Sequence, residues 1–546
     1  MKRESIFDID SYTKRSQFLL DLGWDLVVDL FAGAGGVSEG IEMALHRHPD
    51  IALNHNEDAL SLHAMNHPQT EHIIADVREI CPRVATRERR VGLLHLSPDC
   101  RDHSQAKGGQ PRDRKVRALS WVGVRWAGTV RPRVISLENV PQILRWGRLI
   151  AKRDPVTRRI VKIDGSVAAK GEHVPLREQF LVPDPKRVGQ TWKRFVAILE
   201  SMGYVVEWRV DRACFKGAAT FRQRLWMFAR CDGQPIVWPE DSHAVMPAAG
   251  QQALRPAWTA LDFSIEGRSI FGRERPLAPA TYRRIAVGVE RFVLSSALPF
   301  ILPRSSRYES GCQTTSILPD ATGTSVLVPA ASLDVGYMAQ MNAGYFALRS
   351  VPGRDLRQPV SSITQKGSQQ QLIALHLVHL RGNCDARSVE DCLHTISAGG
   401  QHHGLVTTYL ASEQSLSAQE REGARRVVAL LREHCVLPEG DPDDISGVIV
   451  KINGAHYAIV DIKLRLLTPR ELFRCQSFPD DYVIDRGHDG REFSLTKQIQ
   501  FCGNSVSPVW AAAFIRANLP ELVVARADKS AWRSRHGTPK AQRLAA

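Results

Sequence analysis

Apolar residues in the first 140 positions form short runs, and polar residues follow each run directly. Runs of this length predict buried strands rather than helices. A helical pattern from Val37 to Ala44 separates the first two runs, so strands and helices alternate. That alternation predicts an α/β fold with a Rossmann-like, doubly wound sheet. The predicted strands are residues 24–31, 51–53, 72–74, 91–96 and 134–137.

Polar groups and a glycine turn mark the ends of the first three predicted strands, where open α/β sheets build their sites. Asp29 lies near the end of the first apolar run, and the turn Ala32-Gly33-Ala34-Gly35-Gly36 follows that run. The spacing is G-x-G-G rather than the dinucleotide fingerprint, and glycines there let a cofactor approach the backbone closely. The second strand ends in the polar cluster 54–58, and the third ends at Asp76.

A cysteine and a glutamate follow the fourth and fifth predicted strands. The turn Ser97-Pro98-Asp99 places Cys100 at the start of a loop, and Glu138 comes directly after residues 134–137. A thiol and a carboxyl in these positions form a candidate pair of nucleophile and acid. The alternative is a buried cysteine and a helix-capping glutamate.

Basic residues and prolines interrupt this pattern at 145–187, which predicts an insertion or a mobile loop. Its charges form either a solvated surface or a surface that contacts phosphates. Regular structure is predicted again as a helix over 192–202 and strands over 205–210 and 225–228. Arg222 and Arg224 alternate at the entry to the last strand, so both are predicted to point to one face.

The α/β signals vanish between residues 232 and 463, and an internal repeat occupies part of this region. Residues 351–373 align with 384–406 at an offset of 33, and each copy is predicted to form two short strands around a glycine turn. Several cysteines and histidines occur nearby, but no spacing fits metal ligation, so no metal site is predicted. The residues considered are Cys384, Cys392, His394, His402 and His403.

Helical signals return after residue 464. Thr468, Pro469 and Glu471 form a helix start, with threonine as the N-cap, proline at the first helical position and glutamate at the third. An alanine-rich helix is predicted from Val509 to Asn518. The tail 523–546 is basic and is predicted to be disordered.

Composition limits the class of protein and of partner. A chain of 546 residues predicts two or three domains, and the net charge of +14 favours a polyanionic partner. The ten scattered cysteines favour a reducing compartment. No apolar run approaches membrane-spanning length and no secretory signal is recognised, so we expect a cytoplasmic protein without membrane contact, in the bacterial cytoplasm or nucleoid or encoded by a phage.

Six blocks of the chain, taken in order, resemble the DNA cytosine-5 methyltransferase family. They are Asp29 to Gly36, the Pro-x-Cys loop at Cys100, Glu138-Asn139-Val140, the pair Arg222 and Arg224, Leu467 to Glu471, and Gly503-Asn504-Ser505-Val506. Together they lie within residues 24–230 and 464–520. The Ser-Pro-Asp-Cys sequence and the Ala-Lys-Gly-Gly that follows it look like those of phage and bacterial orphan enzymes.

The resemblance implies methyl transfer from S-adenosyl-L-methionine (AdoMet) to C5 of a flipped-out cytosine in a specific duplex DNA sequence, through a covalent adduct between Cys100 and C6. It implies a monomer that binds double-stranded DNA, and it leaves open whether a restriction endonuclease partner exists. The implied catalytic residues are Cys100, Glu138, Arg224, Arg222 and Asn139. The implied cofactor-binding residues are Asp29, Phe31, Ala32, Gly33, Gly35, Gly36, Asn56, Glu57, Asp76, Ser97, Asn504, Ser505 and Val506.

The same resemblance implies a domain organisation. Residues 20–230 and 464–522 would form the catalytic domain, with 145–187 inserted, and the β-rich, irregular region 232–463 would read the target. Candidate DNA contacts there are Arg354, Arg357, Lys366, Arg381 and Arg387. Four positions depart from the family pattern: Asp99 and Arg101 flank the cysteine, no acidic residue cleanly matches the ribose-binding position near His55, and Thr220 replaces a glutamine.

Two other functions are compatible with these residues. The first is a cytosine-5 methyltransferase that acts on tRNA, and the second is a catalytically inactive DNA-binding protein with an AdoMet-type fold.

Overall fold

The computed structural model of the chain describes residues 25–100, 102–103, 111–296, 370–381, 386–452 and 454–524, together with five short strands between residues 301 and 355. The described chain divides into two compact units. The first unit contains the residues up to Ala253 and those from Gln476 onward, and the second extends from Leu254 to Cys475. The predicted tail lies outside the described residues from position 525 onward.

Strands and helices are numbered here in chain order. The strands are β1 (Leu26–Leu30), β2 (Ile51–Asn54), β3 (Glu71–Ile74), β4 (Val91–Leu96), β5 (Val134–Asn139), β6 (Leu149–Ala151), β7 (Leu181–Pro183), β8 (Val205–Arg212), β9 (Gln223–Arg230), β10 (His243–Ala244), β11 (Gln252–Ala253), β12 (Arg268–Ser269), β13 (Ile301–Pro303), β14 (Ile317–Pro319), β15 (Ser325–Leu327), β16 (Tyr337–Gln340), β17 (Arg354–Asp355), β18 (Gln370–His379), β19 (Ala386–Arg387), β20 (His403–Ser412), β21 (Ile449–Ile452) and β22 (Ala455–Leu466). The helices are α1 (Gly36–Leu45), α2 (Glu57–Asn66), α3 (Pro82–Thr86), α4 (Arg114–Arg117), α5 (Trp121–Val130), α6 (Gln190–Ser201), α7 (Pro279–Val289), α8 (Ala418–Glu433), α9 (Pro469–Cys475), α10 (Leu495–Asn504) and α11 (Pro508–Asn518).

A seven-stranded sheet with the order β3-β2-β1-β4-β5-β9-β8 forms the centre of the first unit. Strands β1 to β5 run parallel to their neighbours, whereas β9 is antiparallel to both β5 and β8. The strand order reverses direction at β1, between β2 and β4. This topology confirms the predicted Rossmann-like, doubly wound sheet.

Each face of this sheet has its own hydrophobic core because successive side chains along a strand point to opposite faces. Val27 packs with Ile41 of α1 and Trp510 of α11. Its neighbour Val28 belongs to the opposite core, which contains Trp126 of α5 and a phenylalanine of α6. Helices therefore cover both faces and leave the strand ends for a site.

The basic insertion at 145–187 has regular structure. Strands β6 and β7 pair antiparallel, and single bridges join Arg153 to Ile160, Val161 to Val167, and Lys162 to Gln179. The backbone amide of Arg112 donates to the carbonyl of Leu181 at 3.0 Å, which ties this hairpin to the segment that follows the Cys100 loop.

A nine-stranded sheet forms the second unit, with the order β12-β22-β20-β18-β16-β17 and three further strands paired at its sides. Strands β18 and β20 are antiparallel over eight residue pairs, and β20 pairs with β22 on its other side. The predicted β-rich region is confirmed. The structure adds helices α7 and α8, which the sequence analysis missed, although Ser417 and Glu420 form a capping box at the start of α8.

The repeat is described only in part. Most of the first copy, residues 351–369, lies outside the described residues apart from β17. In the second copy, the predicted pair of short strands is wrong: β19 has two residues, whereas β20 has ten. Strand β20 is long because β18 and β22 flank it and supply backbone partners along its length.

The predicted start of α9 is confirmed. The backbone amide of Thr468 donates to Oε2 of Glu471, and the amide of Glu471 donates back to Oγ1 of Thr468. Both guanidinium nitrogens Nη1 and Nη2 of Arg465 bind the same buried carboxylate.

In the described part of the chain, no helix is both long enough and apolar enough to cross a membrane.

Candidate active site

The carboxyl ends of β1, β4 and β5 lie side by side in the first unit. Leu30 is in register with Leu96, and Leu96 is in register with Leu137. The glycine turn, the Ser97–Cys100 loop and Glu138 therefore begin at the same edge of the sheet. Sites of doubly wound proteins are built at this edge, next to the strand where the order reverses.

The antiparallel direction of β9 brings the two arginines to this edge. Glu138 is in register with Trp226 and Asn139 with Leu225, so the start of β9 lies beside the end of β5. Nε of Arg224 is 3.0 Å from Oε1 of Glu138, and the two side chains are only 11% and 9% exposed. Arg222 is buried, and its Nη1 donates to the carbonyl of Gly503 at 3.0 Å.

The thiol of Cys100 lies within the field of these charges. Burial raises the pKa of Cys100, the Arg224 guanidinium opposes that effect, Glu138 adds to it, and Arg222 opposes it more weakly. The net shift is upward, so the thiol is protonated more firmly than a free cysteine.

Backbone contacts hold the loop around Cys100. Nδ2 of Asn139 donates to the carbonyl of Pro98 at 3.1 Å, and the amide of His103 donates to the carbonyl of Cys100 at 2.9 Å. Nη1 of Arg117 binds the carbonyl of Asp102 at 2.9 Å. Position 101 and positions 104–110 lie outside the described residues.

A buried histidine, which the sequence analysis missed, fixes Ser97. Nε2 of His95 is 2.7 Å from the Ser97 hydroxyl, and Nδ1 is 2.8 Å from the hydroxyl of Ser136 on β5. Burial lowers the pKa of His95 to about 3, so the ring is neutral and links β4 to β5 through hydrogen bonds. The sequence did contain a signal for this residue, because His95 is a polar residue inside the otherwise apolar run 91–96.

The glycine turn adopts unusual backbone conformations and packs against the returning segment. Phe31 and Gly35 have φ values of 62° and 86°, in the left-handed region. A Cβ on Gly36 would lie 2.1 Å from the carbonyl oxygen of Val506, so only glycine fits there. A Cβ on Gly33 would meet nothing within 4 Å, which leaves that side open to a ligand.

Other predicted cofactor residues near the returning segment have defined positions. Ser505 is buried and its hydroxyl donates to the carbonyl of Phe501 at 2.9 Å, whereas Asn504 is exposed at the end of α10. Ala32 is buried, and its amide donates to the carbonyl of Leu53.

Asp29 lies beneath the start of α1. Its Oδ2 accepts a hydrogen bond from the Ser38 hydroxyl at 2.8 Å. Burial raises the pKa of Asp29 to about 7, and the bond from Ser38 opposes this shift. Its carboxyl group therefore stabilises the first turn of α1 through the hydrogen bond with Ser38.

The polar cluster after β2 makes local hydrogen bonds in the structure. Asn56 caps α2 by accepting from the amide of Ala59 at 3.1 Å, and Glu57 is exposed in the first turn. Asn54, the first residue of that cluster, donates from Nδ2 to the carbonyl of Ala32 at 2.8 Å. Its amide therefore connects the second strand to the glycine turn.

Asp76 follows β3 as predicted, but its carboxylate binds the guanidinium of Arg78. Nε of Arg78 is 2.9 Å from Oδ1 and 3.1 Å from Oδ2. This hydrogen-bonded pair lowers the pKa of Asp76 to about 2. An adenine amine would have to share or displace that arginine.

Comparison with known proteins gives a family match. The family model for C-5 cytosine-specific DNA methylases matches residues 26–148 and 379–519. The Type II methyltransferase M.AgeI of Thalassovita gelatinovora is 27% identical over 224 residues, which are 40% of this chain and 42% of that protein. The chain thus aligns with less than half the length of this curated relative.

Two solved structures also align with the chain. A mutant of DNMT2 from Spodoptera frugiperda is 12% identical with a TM-score of 0.42, over 92% of this chain and 99% of that one. The Dnmt2 methyltransferase of S. pombe is 12% identical with a TM-score of 0.43, over 91% of this chain and 99% of that one.

The family match includes only some of the site. Cys100, Glu138 and the segment from Asn504 to Val506 lie inside the matched residues, whereas Arg222 and Arg224 lie outside them. The place of these two arginines in the site follows from the pairing of β9 with β5.

Proposed function

Since the chain belongs to the C-5 cytosine-specific DNA methylase family, we propose that it transfers a methyl group from AdoMet to C5 of cytosine in duplex DNA. The observation that carries this proposal is the convergence at one sheet edge of Cys100, Glu138 and Arg224, beside a glycine turn with an open side. This edge offers a nucleophile, a carboxyl group and a cation together.

Cys100 is the proposed nucleophile. Cytosine C5 reacts poorly with a methyl donor, because the ring is aromatic. The Cys100 thiol first loses its proton to water. Addition of the resulting thiolate to C6 forms a carbon–sulfur bond and moves the C5–C6 electron pair toward C5. The base is then enamine-like, and C5 carries the electron pair that attacks a methyl group.

Glu138 and Arg224 stabilise the base during this addition. Glu138 donates a proton to N3, so the adduct avoids a full negative charge, and it recovers that proton on elimination. Among the described residues, no group donates a well-aligned hydrogen bond to Oε1 of Glu138, although Arg224 Nε is near. Arg224, with Arg222 beside it, contacts O2 of the base.

The cofactor supplies an electrophilic methyl group on a sulfonium. The open side of Gly33 and the close packing of Gly36 on Val506 suit a ligand against the glycine turn. C5 uses its electron pair to form the new bond to carbon, and the methyl–sulfur bonding pair remains on sulfur. C5 then loses its proton to water, the carbon–sulfur bond to Cys100 breaks, and the thiolate leaves with that pair.

Duplex DNA is the proposed substrate, and the target base must leave the helix because C5 and C6 are stacked inside it. The net charge of +14 favours a polyanion. The second unit, with its extended sheet, is the proposed reader of the target sequence, and the recognition residues remain those proposed from the sequence.

Label transfer from tritiated AdoMet to unmethylated duplex DNA tests this function, with tRNA in parallel and sequencing of the modified cytosines. We expect label at C5 of cytosines within one short DNA motif. DNA carrying 5-fluorocytosine in that motif should retain a covalent adduct, because fluorine at C5 cannot leave as a proton does.

Cys100→Ser is the informative variant, and Cys81→Ser is its control because Cys81 is an exposed free thiol. Cys100→Ser should abolish both methylation and the adduct, and Cys81→Ser should abolish neither. Equal product from Cys100→Ser and wild type would contradict the mechanism. Label in tRNA alone would indicate that the enzyme methylates tRNA. AdoMet binding without label in DNA or tRNA would favour a catalytically inactive DNA-binding protein.

A further inference from the structure

A carboxylate and two imidazoles meet on the first unit, on residues that the catalytic mechanism does not use. Glu42 lies in the second half of α1, His48 follows that helix, and His67 is the C-cap of α2. The donor atoms of these three side chains all lie within 4.8 Å of one another, which is close enough to share one ion.

We propose that Glu42, His48 and His67 bind a divalent transition-metal ion, with Zn²⁺ as the best chemical match. Two imidazoles and a carboxylate are a known protein ligand set for zinc that leaves a fourth position for water. The proposal concerns a site outside the proposed methyl-transfer reaction.

The donor atoms have the spacing of a tetrahedral face. Nδ1 of His48 is 2.9 Å from Oε2 of Glu42, Nδ1 of His67 is 3.5 Å from the same oxygen, and the two Nδ1 atoms are 3.2 Å apart. Ligands at about 2.0–2.1 Å from a tetrahedral zinc ion are separated by about 3.3 Å. The three observed separations bracket that value.

The opposite side of the His67 ring determines which nitrogen is free to bind. The Tyr482 hydroxyl donates its proton to the carbonyl of Ala34 at 2.6 Å, and His67 Nε2 lies 3.4 Å from that hydroxyl. His67 also hydrogen-bonds the backbone of Gly35. The neutral ring therefore carries its proton on Nε2, and the Nδ1 lone pair points to Glu42 and His48.

This arrangement matches the support that metal-binding histidines have. Such a histidine donates its other ring N–H to a backbone carbonyl or another oxygen, which fixes the ring's orientation. A lone pair that faces a carboxylate is unfavourable unless a cation or a proton lies between them. A metal ion supplies that charge.

Burial and access also fit a bound ion. The His67 side chain is fully buried, whereas the side chains of His48 and Glu42 are 11% and 14% exposed. An ion can thus enter from the His48 side, and water can occupy the remaining position. Tyr482 and the glycine turn lie on the far side of His67, so the ion would cross-link α1 to the end of α2 beneath the turn.

Equilibrium titration of the untagged, metal-stripped full chain with Zn²⁺ tests the proposal, with Co²⁺ as a spectroscopic probe of geometry. We expect one tight Zn²⁺ per chain, and Co²⁺ absorption of the intensity typical of four-coordinate sites. Zn²⁺ should also raise the melting temperature of the wild type. The readout does not depend on methyl transfer, so failure here and failure of the proposed activity are distinguishable.

His48→Ala and Glu42→Gln remove one ligand each at partly exposed positions, and His456→Ala is the matched control because it removes an exposed histidine of the second unit. Each ligand variant should bind Zn²⁺ at least about 100-fold more weakly, since even outer-shell changes cost 10–100-fold. Its melting temperature should no longer respond to Zn²⁺.

Three outcomes would overturn the proposal. They are no stoichiometric Zn²⁺ binding by the wild type, equal loss of affinity in His48→Ala and His456→Ala, and octahedral Co²⁺ spectra that persist in both ligand variants. Any of these would leave a hydrogen-bonded Glu–His–His cluster that holds a proton instead of a metal ion.

Discussion

Asn139 holds the backbone that carries Cys100: its Nδ2 donates a 3.1 Å hydrogen bond to the carbonyl of Pro98. Pro98 lies in the loop after β4, and Asn139 is the last residue of the neighbouring parallel strand β5. The amide thus acts on the nucleophile through the chain, as a positioning residue.

Asn139→Ala should lower kcat for methyl transfer about 10–100-fold, because a buried hydrogen bond worth about 1–3 kcal/mol no longer holds the loop. The KM for AdoMet should change little. Asn66→Ala is the control, since Asn66 donates a comparable bond to the carbonyl of Val483 away from Cys100. An equal loss of kcat in both variants would mean that Asn139 matters only for stability.

The thiol of Cys100 should react with iodoacetamide more slowly than a free cysteine near neutral pH. Burial raises its pKa, so the thiolate fraction keeps growing above the ordinary cysteine value of about 8.5. Arg224→Met should shift the rate–pH curve to higher pH, because the Arg224 charge opposes the effect of burial. A wild-type plateau below the ordinary value would contradict this assignment.

Asp29 should make stability fall with rising pH. Its pKa is about 7 in the fold and about 3.9 in the unfolded chain, so the folded protein binds the proton more tightly. The stability that this proton provides is fully present below the unfolded value and is lost as pH rises through about 7. Relative to Asp29→Asn, the wild type should lose up to about 4 kcal/mol across that window. Urea unfolding of both proteins at several pH values in this window measures the difference in their free energies of unfolding. If those free energies depend on pH in the same way in both proteins, the pKa of Asp29 is not raised by burial.

Alanine substitutions at two glycines of the same turn should have opposite effects on stability and AdoMet binding. Gly36→Ala should destabilise the fold by about 1–3 kcal/mol, because the new Cβ would lie 2.1 Å from the Val506 carbonyl. Gly33→Ala should leave thermal stability unchanged, since its Cβ meets nothing within 4 Å, but should weaken AdoMet binding. Calorimetric melting and AdoMet titration separate these effects. Unchanged AdoMet affinity in Gly33→Ala would place the cofactor elsewhere.

The basic hairpin of β6 and β7 should contact DNA phosphates. It is tied to the segment that follows the Cys100 loop, and it displays Arg158 and Lys170 to solvent. The double variant Arg158→Gln/Lys170→Gln should lower the slope of log affinity against log salt by about 2, at about 0.9 per phosphate contact.

Arg90→Gln is the control for the hairpin, because its side chain is 80% exposed just before β4, at the opposite edge of the sheet. Its salt slope should equal that of the wild type. Equal slopes in all three proteins would make the hairpin an ordinary solvated surface.

The order of motifs along the chain determined the fold class and most of the first unit. Apolar runs with Asp29, Cys100 and Glu138 near their ends predicted β1, β4 and β5, because buried parallel strands need continuous apolar sequence and their ends carry the site. The Thr468–Glu471 capping box was also readable, since its two hydrogen bonds are local.

Only the tertiary structure decided how distant parts of the chain meet. The antiparallel direction of β9 brings Arg224 to Glu138, and no local pattern encodes a strand's direction or partner. The same holds for the packing of Val506 on Gly36 and the meeting of Glu42 with His67, which lie in different elements. These contacts depend on which faces are buried together, a property of the whole core rather than of any one segment.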